Sequence, residues 1–344
     1  MPSLSSSLLF ALLGPAGGPQ DPPPTAPAHA LVHVLPASPD APPVAPTRRF
    51  ESAWVDAPLG FNELLPSWNV AGEVPFVVEL RVAREGREAP SPWLHVGDWK
   101  LGADAPRAPA RVDEGRVDVD YFRSERAWNR AQLRLRAVGD EGDSFRPVRV
   151  TLCFSRMPPL AGEPSFPDFR PKRALRLAVP FRRQGAERPE LAPRICSPTS
   201  LAMVLDYHGA GAPTADVAAR AYDAAHDLYG VWPRAIQTAF SYGVEGYVAR
   251  FAGWSEVERE LAAGRPLVIS IAAKEGQLHG APYASTAGHL LVLCGFTAEG
   301  DVEVADPAAK DAASGTTVYL RRELEVCWLA RGGTAYVLLG ATPR

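Results

Sequence analysis

The sequence predicts an α+β fold preceded by an all-β sandwich, on three observations. Two-residue hydrophobic alternation recurs through residues 48–156. Helical patterns then follow one another between residues 198 and 263, and strand patterns follow these between 266 and 339. Pro-rich stretches without periodicity precede the first region and separate it from the second. Alternation marks strands with one wet face, and helices followed by a run of strands mark the α+β class. A chain of 344 residues is long enough for two such units.

Residues 1–47 read as a signal segment and linker. Leu8-Leu9-Phe10-Ala11-Leu12-Leu13 is a short apolar run followed by small residues, like the h-region of a secretory signal, although the first Lys or Arg is Arg48. A secreted or cell-envelope protein is the expectation, with a cytoplasmic one left open. Residues 14–47 are Pro/Ala-rich and hold too few large side chains to offset the entropy of ordering them. No apolar run approaches the ~20 residues that cross a membrane.

In residues 48–156 the alternation is clearest at Val77–Val82, Arg116–Tyr121, Gln132–Ala137 and Val148–Cys153. Gly, Pro and Asp loops between such strands point to a sandwich. Trp54, Trp68, Trp93, Trp99 and Trp128 also lie here. Filling the core is the favoured reading of these rings; exposed, they would stack on peptides or cell-wall glycans. Residues 157–173 are Pro-rich and read as a linker.

The second region, 174–344, begins with helices. Leu201, Val204, Leu205 and His208 share one helical face, giving a helix over Pro198–His208 that Gly209 ends. Thr214 caps a second helix to Ala225, Pro233 opens a third to Tyr242, and Trp254–Ala263 is a fourth before Gly264. Strands are expected at Pro266–Ala272, His289–Phe296, Asp301–Ala305, Thr316–Leu320 and Thr334–Leu339.

Composition removes several classes of function. The formal net charge is −3 and Lys and Arg form no cluster, so nucleic acid is not an expected partner. Cys153, Cys196, Cys294 and Cys327 include no C-x-x-C pair, which argues against a zinc knuckle or a dense disulfide framework. No Gly-Lys dipeptide occurs, so there is no P-loop, and a peptide exporter with a built-in peptidase is excluded.

Four residues are candidates for chemistry. Cys196 stands two residues before Pro198, at a helix amino terminus, where unpaired N–H groups and the macrodipole favour a thiolate. His289 opens the apolar run Leu290–Phe296, a strand buried on both faces, and so sits at a sheet's end. The turn Thr297–Gly300 folds that strand against Asp301–Ala305 and brings Asp306 to within a residue or two of His289 in register. A carboxylate there would fix the imidazole's tautomer and leave its other nitrogen for a thiol. Gln184, twelve positions before Cys196, is by its own context a polar loop residue; its amide is also the kind of donor that serves an oxyanion hole.

These residues carry a resemblance. Val179-Pro180-Phe181-Arg182-Arg183-Gln184 and Cys196-Ser197-Pro198-Thr199-Ser200-Leu201-Ala202-Met203-Val204-Leu205 resemble the V-P-x-x-x-Q and C-G-P-x-S-x-A-M-V-L stretches of the bacterial C39-like cysteine peptidases. Gly230–Arg234, Gly288–Leu290, Gly295-Phe296 and Asp306–Ala308 continue it in order. The resemblance implies a papain-like fold and a cysteine peptidase acting on a peptide or protein, without metal or organic cofactor. It makes Cys196 the nucleophile, His289 the base, Asp306 the orienting acid and Gln184 the oxyanion donor. Ser197 departs from the family, which has Gly there, and bears on activity rather than fold. The segments Phe61–Val70 and Ser91–Trp93 are similar to those ahead of secreted C39-like domains. Two rivals remain at this point: acyl transfer of the transglutaminase type, and a decayed peptidase that binds peptides or glycans.

Overall fold

The computed structural model describes residues 28–35, 42–84, 89–112, 114–157 and 166–341. The apolar run at 8–13 lies outside the described residues. Two antiparallel sheets form the framework of the described residues. The first contains β1 (Ala28–Leu35), β2 (Arg49–Glu51), β3 (Val55–Ala71), β4 (Phe76–Ala83), β5 (Leu94–Trp99), β6 (Arg111–Val112), β7 (Gly115–Asp118), β8 (Tyr121–Ala137) and β9 (Arg146–Arg156). Its main path runs β1-β9-β3-β8-β4-β5, with β2 and β7 also on β8. Alternation sets the core face: Phe76, Val78, Leu80 and Val82 of β4 are all fully buried against Leu133 and Leu135 of β8 and Leu152 of β9.

Two expectations for this half need correction, and its strands are hydrogen-bonded as one continuous nine-stranded sheet rather than as two separate ladders. The cause is strand length: β3 and β8 have 17 residues each and change partners along the way. β3 pairs with β8 over its first half and with β9 from Glu63 to Ala71, with register breaks near Phe61. Such breaks bend a strand without ending its ladder. Next, Ala28–Leu35 is not linker but β1, paired with β9 from Ala28↔Arg156 onward. An available strand edge overrides a composition that looks structureless. Finally, Arg116–Tyr121 is not one strand. Val119 has φ +61 and the Asp120 N–H donates to Asp118 O at 2.7 Å, closing a three-residue turn between β7 and β8. A β-branched residue in that region costs about 1–3 kcal/mol.

Trp68, Trp99 and Trp128 fill the core, but Trp54 and Trp93 are only half-buried. The Arg81 guanidinium stacks on both, 5.1 Å and 4.6 Å from the ring centres.

The second sheet is formed by β10 (Leu175–Arg176), β11 (Val244–Arg250), β12 (Leu267–Ala273), β13 (Thr286–Phe296), β14 (Val302–Ala305), β15 (Thr316–Tyr319) and β16 (Thr334–Ala341). Its order is β11-β16-β12-β13-β14-β15, with β10 on β13. The helices are α1 (Cys196–Tyr207), α2 (Thr214–Ala221), α3 (Trp232–Ser241), α4 (Trp254–Ala262), α5 (Ala312–Gly315) and α6 (Arg321–Cys327). Helices before and around an antiparallel sheet make this half α+β. On β13, Leu290 and Val292 face α1 and α3, whereas Leu291 and Leu293 face the cluster with Trp254 and Val257 of α4 and Leu324 of α6. Both faces are covered, which is why this strand reads as a continuous apolar run. The second helix ends at Ala221 rather than Ala225, and β11 and α6 had no strong periodic signal.

The halves share buried structure. Leu65 of β3 and Cys153 of β9 belong to the same core cluster as Leu201 and Val204 of α1. Gln237 of α3 pairs with the backbone of Val70 as a strand would: its Oε1 accepts from Val70 N and its Nε2 donates to Val70 O, both at 2.9 Å. Along β11 the N–H groups of Gly246 and Val248 donate to Asn69 Oδ1 and Ser67 Oγ, both at 3.0 Å.

Candidate active site

α1 begins at Cys196. Ile195 precedes it with φ −116 and ψ 27 and supplies no side-chain cap, so the first N–H groups of the helix are left for other acceptors. The rest of the first turn is buried: Ser197, Pro198, Thr199 and Ser200 pack inward while Cys196 keeps partial exposure. Ser200 Oγ donates to Leu290 O at 3.0 Å, which fastens the start of α1 to β13 one residue beyond His289. Cys196 and His289 are thereby brought near enough for each to shift the ionisation of the other.

The β13–β14 hairpin pairs Val292 with Ala305, placing Asp306 two residues from His289 in register. His289 Nε2 lies 2.7 Å from Asp306 Oδ1, which leaves Nδ1 as the nitrogen that meets the sulfur. Asp306 is fully buried, and each of its acceptor positions is used. Oδ1 also accepts from Ala308 N at 3.0 Å, and Oδ2 accepts from the hydroxyls of Tyr283 at 3.0 Å and Tyr319 at 2.8 Å. The Tyr283 ring meets the His289 ring edge to face, with centres 4.9 Å apart. Sequence reasoning missed both tyrosines. Tyr319 stands at a strand end and Tyr283 in a loop, and no local pattern marks either.

Gln184 reaches the neighbourhood through its backbone: its N–H donates to Pro307 O at 2.9 Å, beside Asp306. The side chain donates from Nε2 to Ala192 O at 3.0 Å, and the buried Oε1 has no protein partner. One amide proton of Nε2 stays free of Ala192. Ser197 turns its hydroxyl to Tyr336 of β16, with 2.9 Å between the oxygens. It occupies inner space between α1 and β16, where it is buried.

The charges are consistent with this packing. Burial on its own would raise the Cys196 thiol, but the hydrogen bond and charge of His289, with N–H groups of Leu290 and Ser197, bring it below its ordinary value. Burial would lower His289; the hydrogen bonds of Asp306 and Cys196 outweigh this and raise it to about 9. Burial would raise Asp306, and His289, Ala308 and Tyr319 together hold it below the usual carboxylate range. A depressed thiol beside a raised imidazole is the condition for a thiolate–imidazolium pair. The contrast with Cys294 is plain: burial pushes that thiol up to about 12. Cys153, Cys294 and Cys327 are buried and free. Among the described residues no group of three His, Cys, Asp or Glu side chains is arranged to hold a metal ion.

Comparison with known proteins agrees in both halves. Residues 176–336 match the peptidase C39-like family and residues 46–154 match the peptidase C39 N-terminal domain. One similar solved structure is a double-glycine-motif protease from an AMS/PCAT transporter, determined in complex with its leader peptide. It is 20% identical, covers 48% of this chain and 96% of its own, and has a TM-score of 0.32, too low to argue from. No curated protein matches the chain. By these two matches the chain is similar, in this order, to the C39 peptidase N-terminal domain over residues 46–154 and to the C39-like peptidase family over residues 176–336.

Proposed function

We propose that the protein is a thiol-dependent peptidase whose papain-like domain cleaves an amide bond of a peptide or protein with Cys196, His289, Asp306 and Gln184. The observation that carries this reading is the relay at the mouth of α1: a half-buried cysteine, an imidazole, and a fully buried carboxylate 2.7 Å from the imidazole's far nitrogen. Asp306, held by four donors, fixes the ring so that Nδ1 addresses the sulfur. The Cys196 thiolate attacks the substrate carbonyl carbon and a C–S bond forms. The oxyanion is met by the Cys196 N–H, which has no acceptor within the helix, and by the free amide proton of Gln184. His289 gives its Nδ1 proton to the departing nitrogen as the C–N bond breaks. Water then attacks the thioester, its proton passes to His289, and the C–S bond breaks to restore the thiolate.

Ser197 does not obstruct this course. Its side chain is directed to Tyr336, within α1–β16 packing. Activity therefore stands as the reading over a decayed, purely binding protein. The test is hydrolysis of a peptide library by wild type and Cys196→Ala. Wild type cleaves and the variant does not; equal cleavage by both removes the assignment. An amine acceptor added to the wild-type reaction separates hydrolysis from acyl transfer by the conjugate formed.

A further inference from the structure

We propose that Asp120, in the N-terminal β-domain, is a positioning residue for the peptidase site: it caps α3 from the other domain and so sets the segment that flanks Cys196. The proposal rests on the peptidase reading above and adds a role for the domain ahead of it.

The capping geometry is direct. α3 opens at Trp232, and Val231 before it supplies no side-chain cap. Asp120 Oδ2 accepts from Trp232 N–H at 2.7 Å, so the cap this helix lacks locally comes from a residue 112 positions earlier. The next residue, Pro233, has no N–H to offer, which makes Trp232 the donor that matters in this turn. Asp120 is buried and is aimed by the strained turn at Val119, itself solvent-exposed. A chain does not keep a β-branched residue at φ +61 without a constraint from its surroundings. Here the surroundings are the α3 terminus on one side and Tyr121 on the other. The Tyr121 ring stacks on the Trp232 ring with centres 5.8 Å apart and planes 24° apart. Arg250 of β11 also lies over the Tyr121 ring, 5.4 Å from its centre, and pairs with Glu63 of β3.

The clamp reaches the site by a short path. Residues 222–231 lead into Trp232. Within them, Gly230 comes so near α1 that a Cβ added to it would stand 3.8 Å from Ser197 Cβ. Ser197 adjoins the nucleophile, and its N–H stabilises the sulfur. Trp232 and Cys196 pack half-buried on the same core cluster. Tyr336, bonded to Ser197, is within electrostatic reach of both Asp120 and Cys196. The segment before α3 is thus a wall beside the half-buried Cys196, and its far end is pinned by Asp120. The groups that face Asp120 are Asp223 on that segment, Arg250 on β11 and Tyr336 on β16. Burial lifts its carboxyl to about 7, and protonated or ionised it still offers an acceptor to Trp232. An uncharged isostere therefore preserves the cap.

The test uses the full chain with Asp120→Ala and Asp120→Asn. Asp120→Ala is expected to raise KM for a cleaved peptide by about tenfold, the effect of losing one buried hydrogen bond, with kcat nearly unchanged. Amide exchange at Trp232 and through residues 222–231 is expected to speed up. Alkylation of Cys196 by iodoacetamide, a reagent too small to need the wall, is expected to keep its rate and pH profile. Asp120→Asn is expected to restore KM and exchange. Unchanged exchange in Asp120→Ala, or equal KM losses in both variants, overturns the proposal. Should Asp120→Ala fail to fold, Tyr121→Ala loosens the same contact and is expected to act in the same direction on KM and exchange; no effect there overturns it too. A wild type that alkylates at Cys196 but cleaves nothing defeats the peptidase reading instead, and exchange then judges the clamp alone.

Discussion

Asp306→Asn is the most informative substitution because it removes a charge while keeping shape. The two tyrosine hydroxyls on Oδ2, at 3.0 and 2.8 Å, can rotate and accept from the amide that replaces it. What changes is the imidazole. Burial would depress His289, yet Asp306 and, next, Cys196 raise it from 6.5 to about 9. A rise of that size is about 3 kcal/mol of preference for the imidazolium. His289 is only 6% exposed, so solvent screening takes little from it. Asp306 supplies the larger share, about 2 kcal/mol, or about thirtyfold in the ratio of imidazolium to imidazole. The thiolate paired with that imidazolium loses by this factor at most. The assay is the rate of Cys196 alkylation by iodoacetamide between pH 5 and 10, read by peptide mass; the other three cysteines are buried. Wild type is expected to react at a plateau from near neutrality to about pH 9. In the variant the neutral-pH rate is expected to fall, by about thirtyfold at most, and to recover only as the thiol ionises unaided. Superimposable profiles from two folded proteins would refute the claim that Asp306 sustains the pair.

Two further expectations concern the join between domains. Gln237→Ala leaves the buried N–H and C=O of Val70 without partners and is expected to cost about 2–4 kcal/mol in urea unfolding; a cost below about 0.5 kcal/mol would mean that water replaces the side chain fully. Asp120 has a carboxyl raised from 3.8 to about 7, chiefly by burial. The stability linked to its proton is present in full below about 3.8 and is lost as the pH rises through about 7. Asp120→Asn lacks this titration, so its melting temperature is expected to gain on wild type across that window, by the equivalent of about 4 kcal/mol at most. A constant difference from pH 4 to 8 contradicts it.

Much of the site was legible because its chemistry follows local rules. Pro198 marks a helix start, and the start gives Cys196 its N–H groups. A four-residue turn between an apolar run and Asp301–Ala305 is enough to bring Asp306 beside His289. What escaped are contacts made by long-range packing. Tyr283, Tyr319 and Tyr336 come from three separate stretches, and nothing in their neighbours distinguishes them from ordinary core tyrosines. The same holds for β1: residues 28–35 become a strand because the edge of β9 is there to receive them. The single sheet of the first half escaped for a related reason. Alternation reports which residues face inward, and it is blind to a long strand changing partners at a bend.

The N-terminal domain is better understood as part of the peptidase's framework than as an appendage. β11 is an edge strand of the second sheet, and an open edge is a liability in any sheet. Here the edge is closed by side chains: Asn69 and Ser67 of β3 take the N–H groups of Gly246 and Val248 that would otherwise face outward. One turn of chain away, Gln237 on α3 returns the favour to β3 through Val70. α3 is therefore held at its start by Asp120, in its middle by Gln237, and along its inner face by the cluster it shares with α1. Because α1 carries Cys196 at its mouth and packs on α3, restraint applied to α3 by the first domain is restraint on the wall around the sulfur. A peptide bound beside the sulfur needs a wall that keeps its place, and the contacts from β3 and the β7–β8 turn hold that wall.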